Sequence, residues 1–199
     1  MIAIVDYNAG NIRSVTNALS RLGAGWILTS DPAELRRADR VLLPGVGHAG
    51  AAAADLRARG LDTVICDLRR PVLGICVGMQ VMCRDTEEGP SAGLGIFDAH
   101  VRRFIPRSDA DKVPHIGRNT ISNLEKGLFK GIEPGAWVYY VHSYYAPLCP
   151  DTIATTRYGV GEGMMFSAAL KYENFYGTQF HPEKSGDTGE RILQNFLTL

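Results

Sequence analysis

Apolar residues fall along this chain in two rhythms. In the first half, short unbroken apolar runs alternate with stretches in which apolar residues recur every three or four positions. Ile2 to Asp6 (IAIVD) is a run of the first kind, and Ile12, Val15, Leu19 and Leu22 follow it at helical spacing, with Gly23 as a stop. The pair predicts a strand followed by a helix. WILT predicts a second strand, Asp31-Pro32 a helix start with an N-cap and a proline at the first helical position, and RVLLPG a third strand ending in a turn. AGAAAADLRARG has strong helix propensity, and PVLGIC reads as a buried strand that runs straight into a helix-like VGMQVMC. Strand and helix in alternation predict an α/β fold, an open, mostly parallel twisted sheet covered by helices. The second half changes character. FDAHVRRFI, AWVYYVHSYYA, TIATTRY and NFYGTQF read as strands, several of them two-sided or antiparallel, which adds an antiparallel portion to the sheet. The closing DTGERILQNFLTL predicts a helix with a capping pattern from Asp187 to Glu190 and an apolar stripe of Ile192, Leu193, Phe196 and Leu197 that packs on the sheet.

With 199 residues and 45% hydrophobic content, the chain can bury one sizeable core, so residues 1–199 are expected to form a single domain. Lys+Arg and Asp+Glu both total 21, which removes any global electrostatic reason to expect nucleic acid or an anionic membrane as partner. The N-terminal apolar run is too short for a signal peptide, and no stretch reaches the ~18 apolar residues of a membrane span. A soluble, cytoplasmic protein is expected. Cys66, Cys76, Cys83 and Cys149 form no CxxC pair and have no zinc-like spacing with the five histidines, so neither a metal site nor a disulfide framework is indicated. No P-loop or GxGxxG follows a strand, and no cofactor is expected.

One cysteine stands apart. Cys76 lies at the carboxyl end of a predicted parallel strand, where ligands collect in open sheets, and at the start of a helix. Helix starts in general favour the thiolate form of cysteine. Gly74 and Gly78 flank it, giving GxCxG, the cysteine counterpart of the GxSxG nucleophile elbow, although a small buried thiol would also suit the place. A nucleophilic cysteine needs an imidazole to take and return its proton, and a third group to hold that imidazole. Of His48, His100, His115, His142 and His181, only the last has supporting context. It follows the strand-like NFYGTQF, and Glu183, two residues on, points the same way if the segment is extended. Pro182 stiffens the link between them.

GICVGMQ and QFHPEKS, in that order, resemble the signature of the class I glutamine amidotransferases, and DYNAGNIRSV, PGVGHAG, KVPHIGRN and YVHSYY narrow the resemblance to one branch of that family, the glutaminase subunits of imidazole glycerol phosphate synthase. The resemblance implies a flavodoxin-like class I glutaminase fold. It implies a Cys76-His181-Glu183 triad that hydrolyses L-glutamine to glutamate and ammonia through a thioester. It also implies an oxyanion hole from the main-chain N–H of Val77 and a second donor from Val46 or Gly47 in the PGVG turn. Gln80 and Glu88 match substrate contacts, and Ser143 and Tyr144 match the segment that receives the α-carboxylate. The ammonia would pass to a separate (β/α)8 cyclase, forming a heterodimer in histidine biosynthesis, with Gly10, Asn11, Arg118 and Lys184 near the interface or the ammonia passage. Family members generally carry tryptophan where this chain has Arg118. Two rivals stay open on sequence: another glutaminase of the same family, and an inactive subunit that keeps the fold only to support a partner.

Overall fold

The computed structural model describes residues 1–7, 12–89, 91–108, 111–159, 161 and 163–199. Its first half holds strand β1 (Ile2–Val5), helix α1 (Ile12–Arg21), β2 (Trp26–Thr29), α2 (Pro32–Arg37), β3 (Arg40–Leu43), α3 (Ala49–Ala58), α4 (Leu61–Cys66), β4 (Val72–Ile75) and α5 (Val77–Met82). Strands then dominate: β5 (Cys83–Thr86), β6 (Ser91–Ala92), β7 (Phe97–Arg103), β8 (His115–Ile121), β9 (Ala136–His142), β10 (Tyr144–Tyr145), β11 (Thr152–Tyr158), β12 (Met164–Tyr172) and β13 (Phe175–Thr178). A 3-10 turn at Pro182–Lys184 leads into the last helix, α6 (Gly186–Phe196).

The main sheet has seven strands in the order β11-β12-β13-β4-β3-β1-β2. From β13 to β2 all neighbours are parallel, and β12 and β11 add an antiparallel edge. The predicted mostly parallel sheet with an antiparallel portion is the one observed. β1, β4 and β13 are buried at every position, because both faces are covered and no alternation is left for a solvent face. A smaller sheet, β10-β7-β5-β6, and the antiparallel pair β8-β9 lie beside it. The Asp31 carboxylate caps α2 by accepting from Ala33 N at 2.8 Å, as the Asp-Pro pair predicts. Helix α1 buries Val15, Ala18 and Leu19.

Several boundaries differ from the sequence reading. α6 begins at Gly186, so Asp187 sits in its first turn and is not the cap; the residue before the helix, Ser185, spends its hydroxyl on the carbonyl of His181 instead. The helix-like VGMQVMC ends at Met82, and Cys83 opens β5. AWVYYVHSYYA is split at Ser143 into β9 and β10. Among the described residues, α4, β5, β6, β8 and β12 went unread. β12 carries MMFSAALKY, whose Met, Ala and Leu favour helix, and the burial of its centre between β11 and β13 overrides that preference.

Candidate active site

Three adjacent parallel strands bring the chemistry together. Leu43 of β3 pairs with Gly74 of β4, and Thr178 of β13 pairs with Ile75 of β4, so the segments leaving these strands emerge side by side at one sheet edge. β4 releases Cys76, β3 the Pro44–Gly47 turn, and β13 the run from Gln179 to His181.

Cys76 has φ 54° and ψ −108°, a backbone state that a residue with a Cβ rarely adopts. Two hydrogen bonds hold it there: its N–H donates to Thr178 O at 2.7 Å, and its carbonyl accepts from Gln80 N at 3.1 Å. The neighbouring glycines are required by close approach. A Cβ on Gly78 would lie 1.9 Å from the Leu43 carbonyl oxygen, and one on Gly45 would lie 2.4 Å from Gly78 N. The turn after β3 therefore rests directly on the sharp bend that presents the thiol.

His181 and Glu183 are both buried at the side chain, and Nδ1 of the imidazole lies 2.8 Å from Glu183 Oε1. The predicted pairing is present, but its backbone route is not the predicted one. His181 has left the strand, and Pro182–Lys184 form a 3-10 turn that carries the carboxylate back under the ring, where an extended segment was expected. The histidine main chain is clamped as well: its N–H donates to Tyr139 O at 2.9 Å, and Ser185 Oγ donates to its carbonyl at 2.6 Å. With Nδ1 donating to a carboxylate, Nε2 is the atom left to exchange a proton. It is buried and has no conventional hydrogen-bond partner, and it faces a cavity that Cys76 also lines. Burial pulls the imidazole toward its neutral form, but the adjacent Cys76 sulfur and the Glu183 carboxylate outweigh this and push its pKa up to about 9. The pair is poised as an acid facing a sulfur.

The cavity measures about 140 Å³. Besides Cys76 and His181, its wall contains Val46, Gly47, Val77, Gln80, Glu88, Ser143 and Tyr144, seven residues scattered over four segments that the sequence reading had selected. Glu88 also ties the cavity to α3, its Oε2 accepting from Ala49 N at 2.7 Å. Gln80 is a buried amide, not the surface side chain that its place on a short helix would allow. Arg118 is exposed on β8 opposite Tyr139 of β9, and the Lys184 ammonium sits 5.8 Å from the centre of the Tyr139 ring. Gly10 and Asn11 lie outside the described residues. A larger recess of about 760 Å³ opens between β8 and β11, lined by polar residues such as Asn119 and Asn123. Among the described residues no cysteine lines it, whereas the smaller cavity is lined by both the Cys76 thiol and the His181 imidazole.

Three neighbours of the site were not singled out in the sequence. Tyr7, after β1, donates its hydroxyl to the Pro44 carbonyl under the β3 turn, and burial raises its pKa. His142 lines the cavity, and burial lowers its pKa to about 3. Gln179 places its amide 3.7 Å from Cys76 Sγ. Each lies within a segment that carries the family resemblance, Tyr7 in DYNAGNIRSV, His142 in YVHSYY and Gln179 in QFHPEKS. Among the described residues, no group of three or more His, Cys, Asp or Glu is arranged to hold a metal ion, and no helix is long and apolar enough to cross a membrane.

Residues 3–199 match the model of the family "glutamine amidotransferase class-I". The chain belongs to that family. Among relatives of this amidotransferase, the imidazole glycerol phosphate synthase subunit HisH of Bacteroides thetaiotaomicron is 54% identical over 100% of this chain and 99% of its own. The subunits of the same name from Bacillus cereus and Yersinia pseudotuberculosis are 45% and 42% identical, over 98% and 100% of this chain and 93% and 99% of theirs. Among solved structures, a glutamine amidotransferase superposes with a TM-score of 0.74 at 17% identity, covering 100% of this chain and 98% of that one. A glutamine amidotransferase from Thermotoga maritima gives 0.62 at 17%, covering 99% and 82%. At such identities the superpositions speak to the amidotransferase fold.

Proposed function

We propose that this chain is the glutaminase subunit of an imidazole glycerol phosphate synthase, acting as one amidotransferase domain. One observation carries the reading: a chain 54% identical from end to end to a HisH subunit gathers Cys76 and His181 at a single cavity, with Glu183 bonded to the imidazole behind it. Cys76 Sγ attacks the side-chain amide carbon of glutamine, the C–N bond breaks, and the imidazolium of His181 gives its proton to the departing ammonia. Water then attacks the thioester; neutral His181 takes its proton, glutamate leaves, and the thiolate is restored. Glu183 holds the ring by accepting from Nδ1 throughout, which supports one tautomer and one orientation. The oxyanion of each tetrahedral state takes the N–H of Val77, with a second donor from the Val46–Gly47 turn packed against it.

Glu88 suits the α-ammonium group of glutamine, and the Ser143–Tyr144 main chain suits its α-carboxylate. The ammonia goes to a second chain, a cyclase of (β/α)8 form, in histidine biosynthesis. The outer face of β8-β9 supports docking there, because it leaves Ile116 and Trp137 exposed beside Arg118, Tyr139 and Lys184 and joins the cavity through Val141. All four cysteines are free, which fits the reducing cytoplasm. The test is glutamine hydrolysis by the purified chain, alone and with its cyclase plus nucleotide ligand. Glutamate release that requires Cys76 is expected, and undiminished release by Cys76→Ala would overturn the assignment. Growth of a histidine auxotroph on this chain separates the reading from the other glutaminases.

A further inference from the structure

A buried line of hydrogen bonds decides which atom of Gln179 faces the Cys76 sulfur. Its fixed point is the main-chain carbonyl of Tyr144, which can only accept. His142 Nδ1 lies 2.7 Å from it and Gln80 Nε2 2.9 Å, so both donate. Gln80 therefore turns its NH2 group this way, and the second hydrogen of that group reaches Gln179 across 3.0 Å. The receiving atom has to be Oε1. Gln179 is left with its own NH2 group toward Sγ of Cys76, at 3.7 Å.

The histidine side of the carbonyl is equally determined. Burial lowers the pKa of His142 to about 3 and of His115 to about 4, so both rings are neutral at pH 7. With Nδ1 of His142 donating, its Nε2 accepts from His115 Nδ1 at 3.1 Å, and His115 Nε2 accepts from Asn119 Nδ2 at 3.3 Å. The other hydrogen of that amide goes to the Arg157 carbonyl at 2.8 Å. Among the buried members, His115, His142, Gln80 and Gln179, reversing one would set donor against donor or acceptor against acceptor away from water.

We propose that Gln179 is a further catalytic residue, whose amide N–H, aimed by the Tyr144 carbonyl through Gln80, stabilises the thiolate of Cys76. The proposal rests on the reading of Cys76 as the nucleophile. Gln179 is fully buried, and a hydrogen bond to an anion is stronger than one to a neutral thiol, so the amide favours the charged form it touches. The titratable groups around the sulfur are His181 with Glu183 behind it, Tyr7 bound to the Pro44 carbonyl, and Glu88 and His142 on the cavity wall. Gln179 carries no charge, so replacing it leaves all of these in place.

The experiment is the pH dependence of Cys76 alkylation by iodoacetamide in the full chain, followed on the Cys76 peptide by mass spectrometry so that the other cysteines do not contribute. Gln179→Leu removes the donor. Gln179→Glu still accepts from Gln80 but sets an oxygen against Sγ, so it tests the contact without breaking the line. The rate at pH 7 is expected to fall about tenfold in the Leu variant, the effect of one hydrogen bond to a charged group, and further in the Glu variant. The plateau at high pH is expected to stay. Midpoints that coincide with the parent in both variants would overturn the proposal, as would an equal loss at every pH. A parent chain with the expected alkylation behaviour that yields no glutamate from glutamine, even with its cyclase and nucleotide ligand, would refute the functional reading and leave standing only the contact by which Gln179 stabilises the Cys76 thiolate.

Discussion

Gly78→Ala sets two effects of one methyl group against each other. Inside a helix, alanine is favoured over glycine by about 1 kcal/mol, so propensity alone predicts a gain in stability. The contact predicts a loss. The new Cβ would sit 1.9 Å from the Leu43 carbonyl oxygen, and real Cβ contacts do not fall below 3.0 Å, so α5 and the end of β3 must part by at least 1.1 Å. The obstructing atom is backbone in the middle of the parallel sheet, with Leu43 fully buried, and cannot swing aside as a flexible side chain would. Overpacking of this kind costs roughly 1–3 kcal/mol, which cancels or exceeds the propensity gain and lowers Tm by up to about 8 °C for a chain of this length. The effect on turnover is larger than that on stability. The displaced segment runs on into Val46 and Gly47, and a shift of about 1 Å at reacting groups lowers rate by roughly 10²-fold. Glutamine turnover and thermal unfolding are measured together, with Gly25→Ala as control because a Cβ there meets nothing within 4 Å. A Gly78→Ala chain with the parent's kcat would refute the idea that this packing positions the oxyanion donors.

Further outcomes follow from the same geometry. Glu183→Gln keeps the size of the side chain but loses the carboxylate that fixes the His181 tautomer, and kcat is expected to fall by about 10²–10⁴-fold with little change in KM; steady-state kinetics decides it. Cys76→Ala removes one of the influences that raise the His181 pKa, so the imidazole, titrated by NMR, is expected to lose its proton well below pH 9. In the parent, the folded-state pKa of about 9 lies above the unfolded value of 6.5. The contribution of His181 to stability is thus fully present below pH 6.5 and lost as pH rises through 9, which urea midpoints across that range will show. Arg118→Trp adds a large aromatic beside the exposed Trp137 and Tyr139, and its affinity for the cyclase is expected to change by about 2 kcal/mol with glutaminase geometry untouched; equal Kd values by calorimetry would dismiss the docking face.

How much of this was legible beforehand varies from element to element. The βα alternation announced itself because strands covered on both faces, such as IAIV and VLGI, need unbroken apolar runs, while α1 needs a one-sided stripe. The Asp31-Pro32 start was legible because an N-cap acts over two or three residues. β12 was not, since its local composition favours helix and only its neighbours make it a strand. Cys76 and His181 could be paired by residue type and motif. The 3-10 turn that brings Glu183 beneath the ring could not, because a histidine-to-carboxylate contact at spacing two has more than one backbone solution.

The sequence by itself therefore determined the layered sheet, the thiol on its sharp bend, and the residue types that a proton-transferring pair requires, since each depends on periodicity or on neighbours a few positions apart. Tertiary structure alone decided that β3, β4 and β13 end together, and that the carbonyl of Tyr144 orients amides from Gln80 and Gln179. Those contacts span 64 and 99 residues of chain, and hydrogen-bond direction over such separations is set by folded geometry, which no local pattern encodes.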